Sequence, residues 1–220
     1  MTTARRTMTS IAAVLLLCAA APLPAFAETI IDDWSSVKVP AAPALKPVTI
    51  DVKDTALLVL DFNGAQDPTK GPCNSNTKPR CLASLPKMEK LIAAARDAKV
   101  PVIYSITAQA EPKDIAMALT PKEGDPIVKS GPDKFVKTDL ADILTKKGIK
   151  TVIVTGTASE GAVLDTATHA ALWMGMNVIL PVDGMSSTEP YAEQYVAWHM
   201  MNAPGVSAKT TLTAIDMIKF

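Results

Sequence analysis

The sequence predicts a three-layer α/β/α sandwich built on a mainly parallel, six-stranded sheet. Two observations carry that prediction. Short runs that are apolar on both faces recur along the chain, and segments with the spacing of amphipathic helices separate them. Strands buried on both faces need cover on both sides, and a regular alternation of strand and helix gives the parallel, doubly wound arrangement. With 20% charged residues in a chain of 220, the composition is that of a globular protein of one α/β domain.

The first 27 residues are set apart from that domain. Arg5 and Arg6 form a basic start, an apolar run extends from Ile11 to about Ala21, and Ala25-Phe26-Ala27 is a small-x-small cleavage pattern. The run is short for a membrane span, which needs roughly 20 residues. These features predict a signal peptide cleaved after Ala27, no membrane anchor thereafter, and a mature chain in the periplasm or outside the cell. The residues after the Arg pair match the twin-arginine route poorly, and Leu17 before Cys18 is too large for a lipoprotein site.

Residues 28–54, with Pro40, Pro43 and Pro47, read as an extended arm, and 55–220 as the domain. The expected strands are 55–60 (TALLVL), 100–106, 126–128, 150–155, 177–182 and 209–213. Between them, Leu85, Met88, Leu91, Ile92 and Ala95 form a helical stripe that ends before Pro101. Thr138 is placed to cap a helix carrying Leu140, Ile143 and Leu144, with Gly148 as its stop. Ser159 is placed to cap the next, which turns Val163, Leu164, Ala167, Ala170, Ala171 and Met174 inward and ends at Gly175. Pro190 suits the first turn of a last helix, with Val196 and Met200 on its buried side. Trp173, Met174 and Met176 read as core, and His169 and His199 as structural or exposed.

Cys73 and Cys81 are the only cysteines left after cleavage, separated by a seven-residue polar spacer that reads as a surface loop. In an oxidising compartment they are expected to pair, contributing roughly 2–3 kcal/mol. A metal or redox pair is the alternative, without C-x-x-C spacing or a nearby His to support it. The insertion over 67–84 follows Asp61 closely and is a candidate cover for the pocket.

The charge balance excludes one class of partner. Lys plus Arg and Asp plus Glu both number 22, so no basic excess draws the chain to nucleic acid. No G-x-G-x-x-G follows the first strand, so a dinucleotide cofactor is not expected either. A small molecule is the expected partner, and a homo-oligomer is left open.

Ligands of open α/β sheets bind outside the carboxyl ends of the strands. Asp61, directly after TALLVL, stands at such an end between Leu60 and Phe62, where burial would raise its pKa and suit it to proton transfer; a turn-forming Asp is the alternative. Lys129 follows Ile127-Val128 at another strand end, placed to hold a carboxylate or to be a solvated charge. The third end is VTGTASEGAVL (154–164), where a Gly turn at Gly156 leads into a helix whose first N–H groups offer an anion site.

LLVLDFNGAQ, IVKSGPDKFVKTDLADIL and VTGTASEGAVLDTATHAALWMGMNVILPVDGMSS together resemble the isochorismatase-like, or cysteine hydrolase, superfamily, with its Rossmann-like topology, from about Thr55 to Asp183. The resemblance makes Asp61 the acid/base residue, Lys129 its partner and Ala162 the occupant of the nucleophilic cysteine's position. It places Asn63 where a Gln usually follows the Asp, Phe135 where an aromatic lines the pocket against plain core packing, and Thr157 and Ser159 beside the bound substrate. The Asp-x-His metal site of nicotinamidase-type members has no match in SITAQAEPKD, so no metal or cofactor is implied. The true isochorismatases of the superfamily resemble this chain in lacking the cysteine. Their vinyl ether hydrolysis needs an acid and water but no covalent nucleophile, with Asp61 as the acid on a small carboxylate-bearing substrate. Ser159 and Glu160 are the nearest substitutes for a nucleophile, although Ser159 has no visible base and reads first as the helix cap. A binding protein that kept the pocket and lost its chemistry is the competing expectation.

Overall fold

The computed structural model describes residues 29–64 and 73–220. The expected signal peptide, and residues 67–72 of the insertion, lie outside them. The chain divides into units 1–39 and 40–220. In the first, the described residues form one helical turn, α1 (Ile30–Asp33), where Thr29 N–H and Oγ both donate to Asp32 Oδ2 at 2.9 Å. The region expected as an extended arm therefore contains a capped turn.

The second unit follows the predicted alternation. Its strands are β1 (Val48–Thr49), β2 (Thr55–Leu60), β3 (Val102–Thr107), β4 (Ile127–Ser130), β5 (Thr151–Thr157), β6 (Asn177–Pro181), β7 (Met185–Ser186), β8 (Thr210–Thr213) and β9 (Ile218–Lys219). Its helices are α2 (Pro79–Asp97), α3 (Leu140–Lys146), α4 (Leu164–Leu172) and α5 (Pro190–Asn202). The main sheet runs β4-β3-β2-β5-β6-β8, parallel at every pairing, with the short β7 beside the end of β5 as a seventh strand. β1 and β9, which the sequence pattern did not reveal, form a separate parallel pair. No helix among the described residues is long and apolar enough to cross a membrane.

Strand periodicity builds the layers. Successive residues of β2 point to opposite faces, so Leu58 and Leu60 join the core beneath α3, α4 and α5, while Leu57 and Val59 join the core beneath α2. The chain starts in the middle at β2, moves outward through β3 and β4, then crosses back to β5. Right-handed crossovers wound in opposite directions put α2 on one face and α4 on the other. The switch in direction opens a crevice at the carboxyl ends of β2 and β5.

Several boundaries differ from expectation for identifiable reasons. Gly156 is not a turn: β5 continues through Thr157, and Gly156 pairs with Leu60 of β2. A Cβ at this position would lie 2.6 Å from both Cβ and O of Leu60, and φ is +146°, so close approach and backbone conformation both require glycine. α2 begins at Pro79, which puts Cys81 in its first turn. Cys73 and Cys81 are bonded, and both are fully buried rather than carried on a surface loop. Asp139, not Thr138, is the N-cap of α3, although Thr138 Oγ, one residue earlier, accepts from Leu140 N–H at 3.2 Å. Trp173, read as core, is 69% exposed because it follows the end of α4, beyond the helix's buried stripe.

Candidate active site

Asp61 is the first residue past β2 and takes a left-handed conformation, φ 57°, uncommon outside glycine. Its N–H donates to Ser105 O of β3 at 3.1 Å, which holds the backbone at the crevice. The carboxyl group is 5% exposed and held at both oxygens: Ser105 Oγ donates to Oδ1 and Lys134 Nζ to Oδ2, each at 2.7 Å. Burial pushes the Asp61 pKa above the usual carboxylate range; the charge of Lys134 and the two hydrogen bonds oppose that push without cancelling it.

The lysine beside Asp61 is Lys134, and this corrects the expected pairing with Lys129. Alternation along β4 buries Val128 and Ser130 and turns Lys129 outward, where Nζ lies 2.7 Å from Glu111 Oε1 with 41% of its side chain exposed. Lys134 reaches inward from the following loop. It is fully buried, and its Nζ also donates to Gly131 O at 2.7 Å. A buried ammonium with one carboxylate and one carbonyl partner meets the requirement that a desolvated charge be paired and hydrogen-bonded.

The loop carrying Lys134 is tied to α4. Lys134 N–H donates to Thr166 Oγ at 3.1 Å, and His169 Nδ1 lies 2.7 Å from Asp133 Oδ2. Phe135, expected at the pocket wall, is buried; its N–H donates to Asp133 Oδ1 at 2.9 Å and its ring stacks on His169, centroids 4.5 Å apart. Asn63, the shorter amide in place of the usual Gln, pins the end of β3: its amide donates to Thr107 Oγ at 3.3 Å and accepts from Thr107 N–H at 3.4 Å.

On the β5 side, the Thr157–Ala158 peptide is cis, and a wide helical turn, Ser159–Val163, follows, in which Val163 N–H reaches back to Ala158 O at 3.4 Å. Thr157 Oγ donates to Ser186 O of β7 at 3.3 Å. Ser159 is not the cap; Ala158 takes that position, and the Ser159 hydroxyl is buried without a hydrogen-bond partner, like those of Ser186 and Ser187. Glu160 follows on the same turn. The methyl of Ala162 is buried in the apolar core. No three His, Cys, Asp or Glu side chains among the described residues form a metal-binding group.

Two of these residues were not singled out from the sequence. Ser105 left a legible signal, a small hydroxyl between Tyr104 and Ile106 in the carboxyl-terminal half of VIYSIT. Lys134 left a weaker one: it precedes Phe135-Val136, whereas Lys129 interrupts a strand.

The architecture recurs in solved structures. An isochorismatase-like hydrolase from Alkaliphilus metalliredigens superposes with a TM-score of 0.63 at 25% identity, covering 74% of this chain and 95% of that one. A cysteine hydrolase from Pseudomonas syringae pv. phaseolicola gives 0.64 at 19% identity, covering 80% and 95%, a likeness of fold. In sequence, the chain is 29% identical over 154 residues to a secreted isochorismatase effector of Verticillium dahliae, covering 65% of this chain and 78% of the relative. The isochorismatase domain model matches residues 55–213, and the chain belongs to that family.

Proposed function

We propose that this protein is a hydrolase that works without a cysteine nucleophile, using Asp61 as acid and base and Lys134 as its partner, on the vinyl ether of a small carboxylate-bearing molecule. The observation that carries the reading is the held, desolvated carboxyl of Asp61 at the carboxyl end of β2; the family resemblance supports it by aligning Ala162, which has only a methyl to offer, with the nucleophile's position. A raised pKa is the property an acid catalyst needs, and vinyl ether hydrolysis needs no covalent intermediate.

In the proposed sequence, protonated Asp61 delivers its proton to the substrate's methylene carbon, leaving an oxocarbenium ion. The Lys134 ammonium and Ser105 hydroxyl stabilise the carboxylate so formed. Water adds to the cationic carbon and returns a proton to Asp61. The hemiketal then collapses: its C–O bond breaks, its hydroxyl proton passes to the departing oxygen, and a keto acid and an alcohol leave. The unpartnered Ser159 hydroxyl is the donor offered to a polar group of the substrate. Lys129, committed to Glu111 at the surface, takes no part.

The relative from Verticillium dahliae is a secreted protein, and with the expected signal peptide it supports export of this chain as well.

The test is turnover by residues 28–220 on a panel of vinyl ethers, small amides and esters, with Asp61→Asn alongside. Vinyl ether hydrolysis that falls at least about 100-fold in the variant is the expected result. Hydrolysis confined to amides or esters, or equal rates in both proteins, would overturn the reading, and inertness of both across the panel would favour a binding protein.

A further inference from the structure

Lys134 meets Asp61 at the end of a long, flexible side chain, so the distance between their charges depends on where the loop over 131–137 is fixed. That loop has little regular structure of its own. Its attachments run to one face of α4: Thr166 and His169, three residues apart, lie on the same side of the helix. Thr166 Oγ accepts from the N–H of Lys134 itself and stands 3.4 Å from Pro132 O. His169 engages the residues on either side of Lys134, through Asp133 Oδ2 at 2.7 Å and through the stacked ring of Phe135. Asp133 completes the link by accepting from Phe135 N–H with its other oxygen. The carboxylate can only accept, so the proton of the Asp133–His169 contact lies on Nδ1.

We propose that His169 is a positioning residue: acting through Asp133 and Phe135, it clamps the loop to α4 and sets the reach of Lys134 to Asp61. Its significance for turnover rests on the function proposed above, but the clamp itself is a statement about geometry. The feature is specific, because the same imidazole makes a polar contact to one neighbour of Lys134 and a stacking contact to the other. Asp165, one turn earlier on α4, is the other acid facing this region, and its pKa is raised by burial and by Asp133.

The clamp predicts an effect on Asp61, reached only through Lys134. In the folded protein, Lys134 opposes the upward push of burial on the Asp61 carboxyl. Loosening the loop weakens that opposition, so the Asp61 midpoint rises further. The experiment follows the Asp61 carboxyl carbon by NMR titration in wild type, His169→Ala, His169→Asn and Leu172→Ala. Leu172 is an exposed residue of the same helix with its side chain against Gly205, and its variant controls for loss of helix stability. The expected result is a higher midpoint in His169→Ala, a return toward wild type in His169→Asn, whose amide can replace the Nδ1 donor, and no change in Leu172→Ala. A midpoint in His169→Ala equal to wild type, or displaced equally in Leu172→Ala, overturns the proposal. If His169→Ala does not fold, Asp133→Asn replaces it, since it keeps the acceptor for Phe135 N–H and weakens the contact to His169, while also relieving Asp165 of the Asp133 charge. Because the readout needs no substrate, an inactive wild type would count against the proposed reaction and leave the clamp to be judged on the titration.

Discussion

Lys129 and Lys134 stand five positions apart, yet their removal is expected to have unlike effects. Lys134→Met leaves the Asp61 carboxylate desolvated without its counter-charge, a loss of about 3–5 kcal/mol by analogy with other broken buried pairs. Lys129→Met removes a half-exposed contact with Glu111 and changes stability by less than about 1 kcal/mol. Urea denaturation of the two variants measures the difference, and comparable losses would contradict the placement of Lys134. Gly156→Ala is a third residue-scale prediction. The methyl collides with Leu60 in a backbone conformation closed to alanine, which costs on the order of 3 kcal/mol in the same assay. Asp61 was legible in the sequence because an acid directly after an apolar strand marks a strand end. Lys134 was not, because KSGPDKFVK contains three lysines and only the phase of β4 and the path of the loop decide which one turns inward.

At the scale of elements, the long strands and the buried faces of the helices follow from residue pattern, whereas their starts depend on contacts that the pattern does not carry. TALLVL and KTVIVT are apolar on both faces and can be little else than central strands. β7 and β9 are two residues each, too short to show any period, and exist because neighbouring backbone offers them partners. The first turn of α2 is polar and opens on Pro79, so it read as loop; the Cys73–Cys81 bond and the packing of Cys81 against the α2 core fix it as helix. Replacing both cysteines by alanine should lower stability by about 2–3 kcal/mol, from the loss of the cross-link in the unfolded chain. Denaturation midpoints of the double variant and of the oxidised wild type measure this, and equal midpoints would assign the start of α2 to its other contacts alone.

For the molecule as a whole, the strand order brings the end of β2 and the end of β5 to one crevice, so residues about 100 positions apart in sequence share a site. Burying Asp61 there has a consequence for stability. A carboxyl whose folded pKa is raised binds its proton more tightly in the folded state than in the unfolded one. Its favourable contribution is complete below the unfolded value, about 3.9, and is lost as pH rises through the folded value. The same ionisation governs the proposed chemistry, because only the protonated form can deliver a proton to carbon. The most direct test is therefore the pH dependence of kcat for wild type on a vinyl ether substrate. The account predicts that kcat falls as pH rises, with a midpoint above the ordinary carboxylate value; a kcat that rises through this range, or does not change, would contradict Asp61 as the acid.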